Sequence, residues 1–195
     1  MRLKTFTILL LILGHGIFSL GQTEGDSVKE NISDKYVAGF IPSSAPNIYG
    51  IAIGPVGSET ICNVPHTRYS HGLNLQIPGQ GILQTFYIFY PPYRKAYRNQ
   101  DASGILHYAD TAMVRAMHNG LLVSPLGTFT DKINGVSLSL WMSKGKAIKG
   151  VSINPLWNAY IRQKGVLIGL VNNTVQSKGL QIGLFNKTIK LRGFQ

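Results

Sequence analysis

The sequence predicts an all-β protein built from tandem repeats, and three observations lead to this class. A phrase headed by glycine recurs every 14 or 15 residues through the last third of the chain. Apolar residues alternate with small or polar ones after each glycine, which is the period of a strand with one buried face. Glycine and β-branched residues are frequent, which disfavours helices. The clearest phrases begin at Gly135, Gly150, Gly165 and Gly179, and a further one begins at Gly193.

Two arrangements of these repeats fit the pattern. In a β-solenoid each repeat is one turn of a parallel stack, and equivalent residues lie about 4.8 Å apart. In an antiparallel meander or a barrel, neighbouring repeats run in opposite directions. The solenoid is favoured, because a phrase recurs unchanged when every repeat has the same surroundings. A meander would place alternate glycines at opposite ends of the sheet.

The alternation also predicts which residues form the core. The apolar residues that follow each glycine at odd positions would stack into one buried face. The polar residues between them, and Leu167, would face solvent. On a barrel the polar residues would instead line the lumen, with the aliphatic residues turned to lipid. The expected core is Val136, Leu138, Val151, Ile153, Val166, Ile168, Leu180, Ile182 and Leu184, and the expected outer set is Ser137, Ser139, Ser152, Asn154, Gln181 and Gly183.

Three segments are predicted along the chain. Residues 1–21 have the features of a signal peptide: Arg2 and Lys4 precede a short apolar run, which a small-x-small cleavage site follows. Residues 22–46 carry four of the eight acidic residues, and we expect a flexible leader. Residues 47–195 form the β-repeat domain, because earlier copies of the phrase begin at Gly50, Gly72 and Gly120.

An insertion at residues 80–119 interrupts the repeats. It contains an aromatic run, Phe86–Tyr90, followed by mixed aromatic and cationic residues up to Arg98. This composition fits either an edge strand with a solvated loop or an interfacial patch. The segment Ile105–Met117 has apolar residues at helical spacing, which predicts one short helix on the β-body.

Residues of the types that act in catalysis or metal binding do not lie at the spacings of a known catalytic or metal site. Cys62, His66 and His71 lie within ten residues, but their spacing matches no compact zinc site, and we expect no metal. Ser70 and His71 are adjacent, so on a strand they would point to opposite faces. Acidic residues are scarce beyond the leader. We therefore expect no catalytic residues, no cofactor and no enzymatic activity.

Charge is the distinctive functional feature. The formal net charge is +11, and a cation precedes the glycine in four successive repeats. If the repeats stack in register, these cations form a ladder that would bind an anion. The alternative is a charged edge that only prevents aggregation. The candidate anion-binding residues are Lys149, Lys164, Lys178 and Arg192.

Two repeats carry a resemblance to a known class of protein. The residues Gly165-Val166-Leu167-Ile168-Gly169-Leu170-Val171-Asn172 and Gly179-Leu180-Gln181-Ile182-Gly183-Leu184-Phe185-Asn186 resemble bacterial exported surface-repeat proteins with tandem G-[VL]-Q-I-G-L-x-N units. The resemblance extends over residues 120–195 and, more loosely, 50–79. It implies an exported repeat protein of the cell envelope, and it assigns no catalytic residues.

These observations lead to an expected function. We expect an exported, non-enzymatic protein of the periplasm, outer membrane or cell surface of a Gram-negative bacterium, with a structural or binding role. Its partners would be anionic lipid, lipopolysaccharide or polysaccharide, and export argues against nucleic acid. The alternative is a small outer-membrane β-barrel. Because the last repeat is incomplete, we also expect self-association through an open C-terminal turn.

Overall fold

A computed structural model describes residues 33–61, 64–80 and 102–191, and in these ranges the chain is almost entirely β-structure. The one α-helix of the described ranges, α1, spans Ala102–Thr111, and a short 3-10 helix spans Ser58–Thr60. The strands are β1 Ala38–Phe40, β2 Asn47–Gly54, β3 Arg68–Gln76, β4 Ala116–Ser124, β5 Thr128–Ser139, β6 Met142–Ile153, β7 Trp157–Ile168, β8 Val171–Ile182 and β9 Phe185–Leu191.

The strands form one parallel sheet in the order of the chain. Each strand pairs with the equivalent strand of the next repeat, so that Gly150 lies beside Gly165 and Gly165 beside Gly179. The stack is a β-solenoid of about eight turns. The predicted solenoid is therefore confirmed, and the described strands do not form the antiparallel meander or barrel.

The repeat glycine occupies a position where a side chain has no room. Gly165 has a φ of +125°, in the left-handed region that glycine tolerates. A Cβ at this position would lie 2.0 Å from the carbonyl oxygen of Gly150 in the preceding turn. The recurrence of glycine in the sequence therefore has a direct cause, which is the close approach of the backbones of stacked turns.

The side chains after the glycine face the opposite way to the prediction. Ser152 and Leu167 are fully buried, whereas Ile153 is 38% exposed and Leu184 is 76% exposed. The prediction that the aliphatic residues of the phrase form the core is therefore wrong. Of the expected outer set, Ser137, Ser139, Ser152 and Asn154 are buried; of the expected core, Ile153, Leu180, Ile182 and Leu184 are exposed, and Val136, Leu138, Val151, Val166 and Ile168 are half-buried.

The polar interior is stabilised by hydrogen bonds between equivalent side chains of neighbouring turns. Asn158 Nδ2 donates to Asn172 Oδ1 at 2.8 Å, and Asn172 Nδ2 donates to Asn186 Oδ1 at 2.7 Å. Asn158 and Asn172 also donate to backbone carbonyl groups inside the turn. A buried polar group that keeps its hydrogen bonds loses little on burial. The facing prediction failed because it equated polar with exposed.

The row of hydrogen-bonded Asn158, Asn172 and Asn186 is called the asparagine ladder. An apolar cluster fills the interior of the stack beside it. It consists of Leu122, Ile133, Ile148, Tyr160 and Leu167, which are all buried. The Tyr160 hydroxyl forms hydrogen bonds with Ser143 and Ser152. Burial raises the pKa of Tyr160, so its phenol stays protonated inside the solenoid.

The sheet begins earlier than the sequence indicated. β1 lies within the segment expected to be a flexible leader, and its residues pair in parallel with Ile51–Ile53 of β2. The parallel sheet therefore includes residues that precede residue 47. A strand of three residues is too short for its alternation to be recognised in the sequence.

The insertion leaves the stack continuous. β3 and β4 are direct neighbours in the sheet although about 40 residues separate them, and Gly72 pairs with Gly120. Helix α1 packs Ile105 against Ile161 and Val175 on the outside of the solenoid. The predicted helix is thus present, but it ends at Thr111, and β4 starts within the predicted helical segment and the predicted insertion. The aromatic run lies outside the described residues.

The asparagine ladder provides a test of the polar interior. Replacing Asn172 by Ala removes the acceptor of the buried Asn158 amide and the donor to the Asn186 side chain. We expect the free energy of unfolding to fall by about 2 kcal/mol or more, because each stranded polar group costs about 1–3 kcal/mol. The matched control is Asn173→Ala, at a half-exposed neighbouring position, which should change it by about 0.5 kcal/mol at most. Urea denaturation measures both, and equal losses would contradict the ladder.

Candidate functional surface

Three of the predicted cations form a column on the outside of the solenoid. Lys149 pairs in register with Lys164, and Lys164 with Lys178. All three side chains are exposed. Adjacent turns place them about 4.8 Å apart along the stack. We call these three residues the lysine column. The fourth predicted cation, Arg192, lies outside the described residues.

The same register position holds no lysine or arginine in the preceding described turns. The equivalent positions hold Asn134 and Asn119, which share a side-chain hydrogen bond of 2.8 Å, and then His71 and Tyr49. The rings of His71 and Tyr49 stack with their centroids 4.8 Å apart. In the described stack, lysine at this register position is therefore confined to β6, β7 and β8.

An aliphatic surface lies on the other side of the repeat glycine. The first and third residues after each glycine point outward, since the residue between them is buried in most turns. Strand pairing aligns them into two columns across β2 to β8. We call these columns the aliphatic face. Its members are Ile51, Leu73, Leu121, Val136, Val151, Val166 and Leu180 in the first column, and Ile53, Leu75, Val123, Leu138, Ile153, Ile168 and Ile182 in the second.

Further apolar side chains are exposed between successive strands. Leu140 is 70% exposed and Leu184 is 76% exposed, and Leu156 and Leu170 are exposed as well. Single exposed aliphatic residues are ordinary on protein surfaces, but contiguous apolar patches mark interaction sites. The lysine column thus runs along one border of an apolar surface.

The described acidic residues are engaged away from the lysine column. Asp131 forms a salt bridge with Lys146 at 3.0 Å, and Asp110 forms one with Arg162. The hydrogen bond from Arg162 lowers the pKa of Asp110. Asp34 accepts from the Asn47 side chain. In the described ranges, no salt bridge involves a lysine of the column.

Lys144 lies in a more buried environment than the lysine column, and its pKa differs as a result. Lys144 lies on β6, and its Nζ is 5.5 Å from the centroid of the Phe129 ring. Burial lowers the pKa of Lys144, because desolvation disfavours the charged form. The three lysines of the column are exposed instead, so they are accessible to a ligand.

The candidate metal ligands are not brought together. The Nε2 of His66 lies 2.9 Å from the Ser44 carbonyl oxygen, whereas His71 belongs to the aromatic stack. Cys62 lies outside the described residues. Among the residues that the structure describes, no three His, Cys, Asp or Glu side chains are placed to hold a metal ion.

A buried polar cluster was not foreseen from the sequence. Ser70 Oγ lies 2.5 Å from Nδ1 of His118, and Nε2 of His118 lies 3.7 Å from Oε2 of Glu59. Ser70 is buried while its neighbour His71 faces outward, as expected for adjacent residues on a strand. One signal was present in the sequence: Ser70 and His118 each precede a repeat glycine by two residues, and they pair in register.

No similar protein places this surface in a known family. The described part of the chain has no helix of the length and hydropathy that a membrane span requires. The self-association expected at the last repeat remains a prediction, because residues 192–195 are outside the described ranges. Comparisons with protein-family models, with curated proteins and with solved structures yield no match.

Proposed function

We propose that this protein is an exported, non-enzymatic β-solenoid that binds the surface of an anionic lipid membrane. The observation that carries the proposal is the position of the lysine column along the border of the outward aliphatic face. Cations beside exposed aliphatic side chains form the pattern by which proteins attach to the membrane interface. The export component rests on the signal-peptide features of residues 1–21.

The stacking of like charges favours an anion-binding role for the lysine column over a column that contacts only water. Two unit charges about 4 Å apart in water repel by about 1 kcal/mol, and the repeats of the column stand at a comparable spacing. A row of lipid phosphates would offset this repulsion. The alternative role, an edge that prevents aggregation, fits less well. Lys149, Lys164 and Lys178 lie on strands that have paired neighbours on both sides.

The aliphatic face selects lipid among the available anions. An acidic polysaccharide would satisfy the lysines but would leave the exposed Ile153, Leu180 and Ile182 in contact with water. A bilayer supplies phosphate groups and, just beneath them, acyl chains. Burying apolar surface contributes about 25 cal/mol per Å², and each lysine near an anionic surface contributes about 1 kcal/mol.

Vesicle binding tests this proposal. We expect the protein to sediment with vesicles of phosphatidylcholine and phosphatidylglycerol in equal parts, and less with phosphatidylcholine alone. The triple variant Lys149→Gln, Lys164→Gln, Lys178→Gln should bind the anionic vesicles roughly 100-fold more weakly, since about 3 kcal/mol is lost. Raising the salt from about 0.1 M to about 1 M should weaken wild-type binding, as the Debye length falls from about 10 Å to about 3 Å.

A matched control separates the column from net charge. The variant Lys35→Gln, Lys132→Gln, Lys187→Gln loses the same charge elsewhere on the solenoid. If both triple variants lose affinity equally, overall charge and not the column attracts the membrane, and the proposal fails. The double variant Ile153→Ser, Ile182→Ser tests the aliphatic face, and unchanged binding would remove the face from the proposal.

A further inference from the structure

Val37 occupies the position that glycine holds in the later turns. Strand pairing places Ala38 beside Ile51, so Val37 lies beside Gly50. The φ of Val37 is +78°, and in the described ranges it is the one residue other than glycine with a positive φ. A β-branched side chain is poorly tolerated in this region of backbone conformation. Glycine would fit this backbone with less strain, so the presence of valine calls for an explanation.

The Cβ of Val37 lies where the backbone of an added turn would have to lie. A Cβ placed on any of the repeat glycines from Gly50 to Gly179 would be 1.9–2.4 Å from a carbonyl oxygen of the turn before. For Gly50 that oxygen belongs to Val37, at 2.3 Å. By the same geometry, the Cβ of Val37 would meet the carbonyl oxygen of any turn stacked on β1 in this register. Val37 therefore excludes such a turn by direct overlap.

A hydrogen-bond donor of β1 is also turned away from a further strand. The Ile51 N–H donates to the carbonyl oxygen of Val37 at 2.9 Å, and this bond joins β2 to the turn before it. Ala38 is the register equivalent of Ile51, so its N–H would form the corresponding bond with an added turn. It donates instead to the carbonyl oxygen of Tyr36, at 3.1 Å. A bond between residues two apart around a positive φ forms a γ-turn, and it occupies the donor that an added strand would need.

The side chains at this end of the sheet make a closed edge useful. Tyr36, Val37 and Phe40 are all exposed, and β1 is the terminal strand of the described sheet. Sheet edges recruit further strands unless something blocks them. The sheet is parallel and its other described end is β9, so the strand that matches β1 in direction is β9 of a second copy. Such a head-to-tail contact does not close on itself and would repeat into a filament.

We propose that Val37 closes the β1 edge to a second copy of this chain and so prevents head-to-tail polymerisation of the solenoid. The Cβ excludes the carbonyl oxygen of an incoming turn, and the bond between Tyr36 and Ala38 removes a donor from the edge. Association through β9 edges alone would join two copies and stop there. Val37 belongs to neither the lysine column nor the aliphatic face, so this property does not depend on membrane binding.

Light scattering after size-exclusion chromatography, over a series of protein concentrations without lipid, tests the proposal. The wild type should keep the mass of a monomer or a dimer. Val37→Gly should form open chains whose mean mass rises with concentration to several times the wild-type value, because glycine lacks the Cβ and suits the positive φ. The matched control Val37→Ala retains the Cβ and should behave like the wild type.

A mixing experiment tests the direction in which the chains grow. A wild-type copy can add its β9 edge to the β1 edge of a Val37→Gly copy, but its own β1 edge then ends the chain. An equal amount of wild type should therefore shorten the Val37→Gly chains at least about twofold, since each such addition stops growth at that end.

Three results would overturn the proposal. The first is a Val37→Gly protein with the wild-type mass at every concentration, and the second is growth of Val37→Ala into chains as long as those of Val37→Gly. The third is a chain length that added wild type leaves unchanged, since the copies would then join elsewhere. Circular dichroism establishes that each variant is folded. If Val37→Gly does not fold, the wild type decides: growth beyond a dimer contradicts a closed β1 edge, and a mass limited to a monomer or a dimer supports it.

Discussion

Gly165→Ala is expected to destabilise the solenoid by about 3 kcal/mol or more. The new Cβ would collide with the carbonyl oxygen of Gly150, at 2.0 Å, and would impose a left-handed conformation on alanine. The conformational cost is about 1–2 kcal/mol, and forcing the turns apart adds about 1–3 kcal/mol. Denaturant unfolding monitored by circular dichroism measures the loss.

Gly104→Ala is the control for this substitution. Gly104 lies in helix α1, and no atom outside its own helix lies within 4 Å of the Cβ position. Alanine there should stabilise the protein by roughly 0.5–1 kcal/mol, because glycine is unfavourable in helices. A Gly165→Ala protein as stable as the wild type would show that successive turns do not approach as closely as described.

Leu167→Ala is expected to produce the second large effect, a loss of about 2–5 kcal/mol in the free energy of unfolding. Leu167 is fully buried in the central apolar cluster, where truncation leaves a cavity. Its neighbour Ile168 is half-buried on the outer side. Ile168→Ala should therefore cost about 1 kcal/mol or less. Urea unfolding of the two variants compares the losses directly. A larger loss for Ile168→Ala than for Leu167→Ala would support the aliphatic interior that the alternation predicted.

The repeat, the parallel stack and the lysine column were predictable because each depends on register alone. Once Gly150, Gly165 and Gly179 are equivalent, stacked turns align Lys149, Lys164 and Lys178. This alignment requires no knowledge of the interior. The binding role of the column remains a prediction, and so does the contribution of Arg192.

The facing of the side chains was not predictable in the same way. Alternation places Ile153 and Asn154 on opposite faces, but it does not say which face is inside. The choice depends on whether Asn154 finds partners, and it does, in Ser152 and Asn158 of the folded turn. The Ser70–His118 contact was hidden for a related reason, since it depends on β3 and β4 being neighbours across the insertion.

The continuity of the stack across the insertion has a consequence for how such a chain can vary. β3 and β4 meet as if the residues between them were a short turn, so the length of that connection is decoupled from the geometry of the body. Loop closure becomes only slowly more costly as a connection lengthens. Sequence can therefore be added or lost at the rim between turns while the cross-section persists. Adding or losing whole turns changes the length of the solenoid, whereas lengthening or shortening a connection changes only the segments attached to its surface.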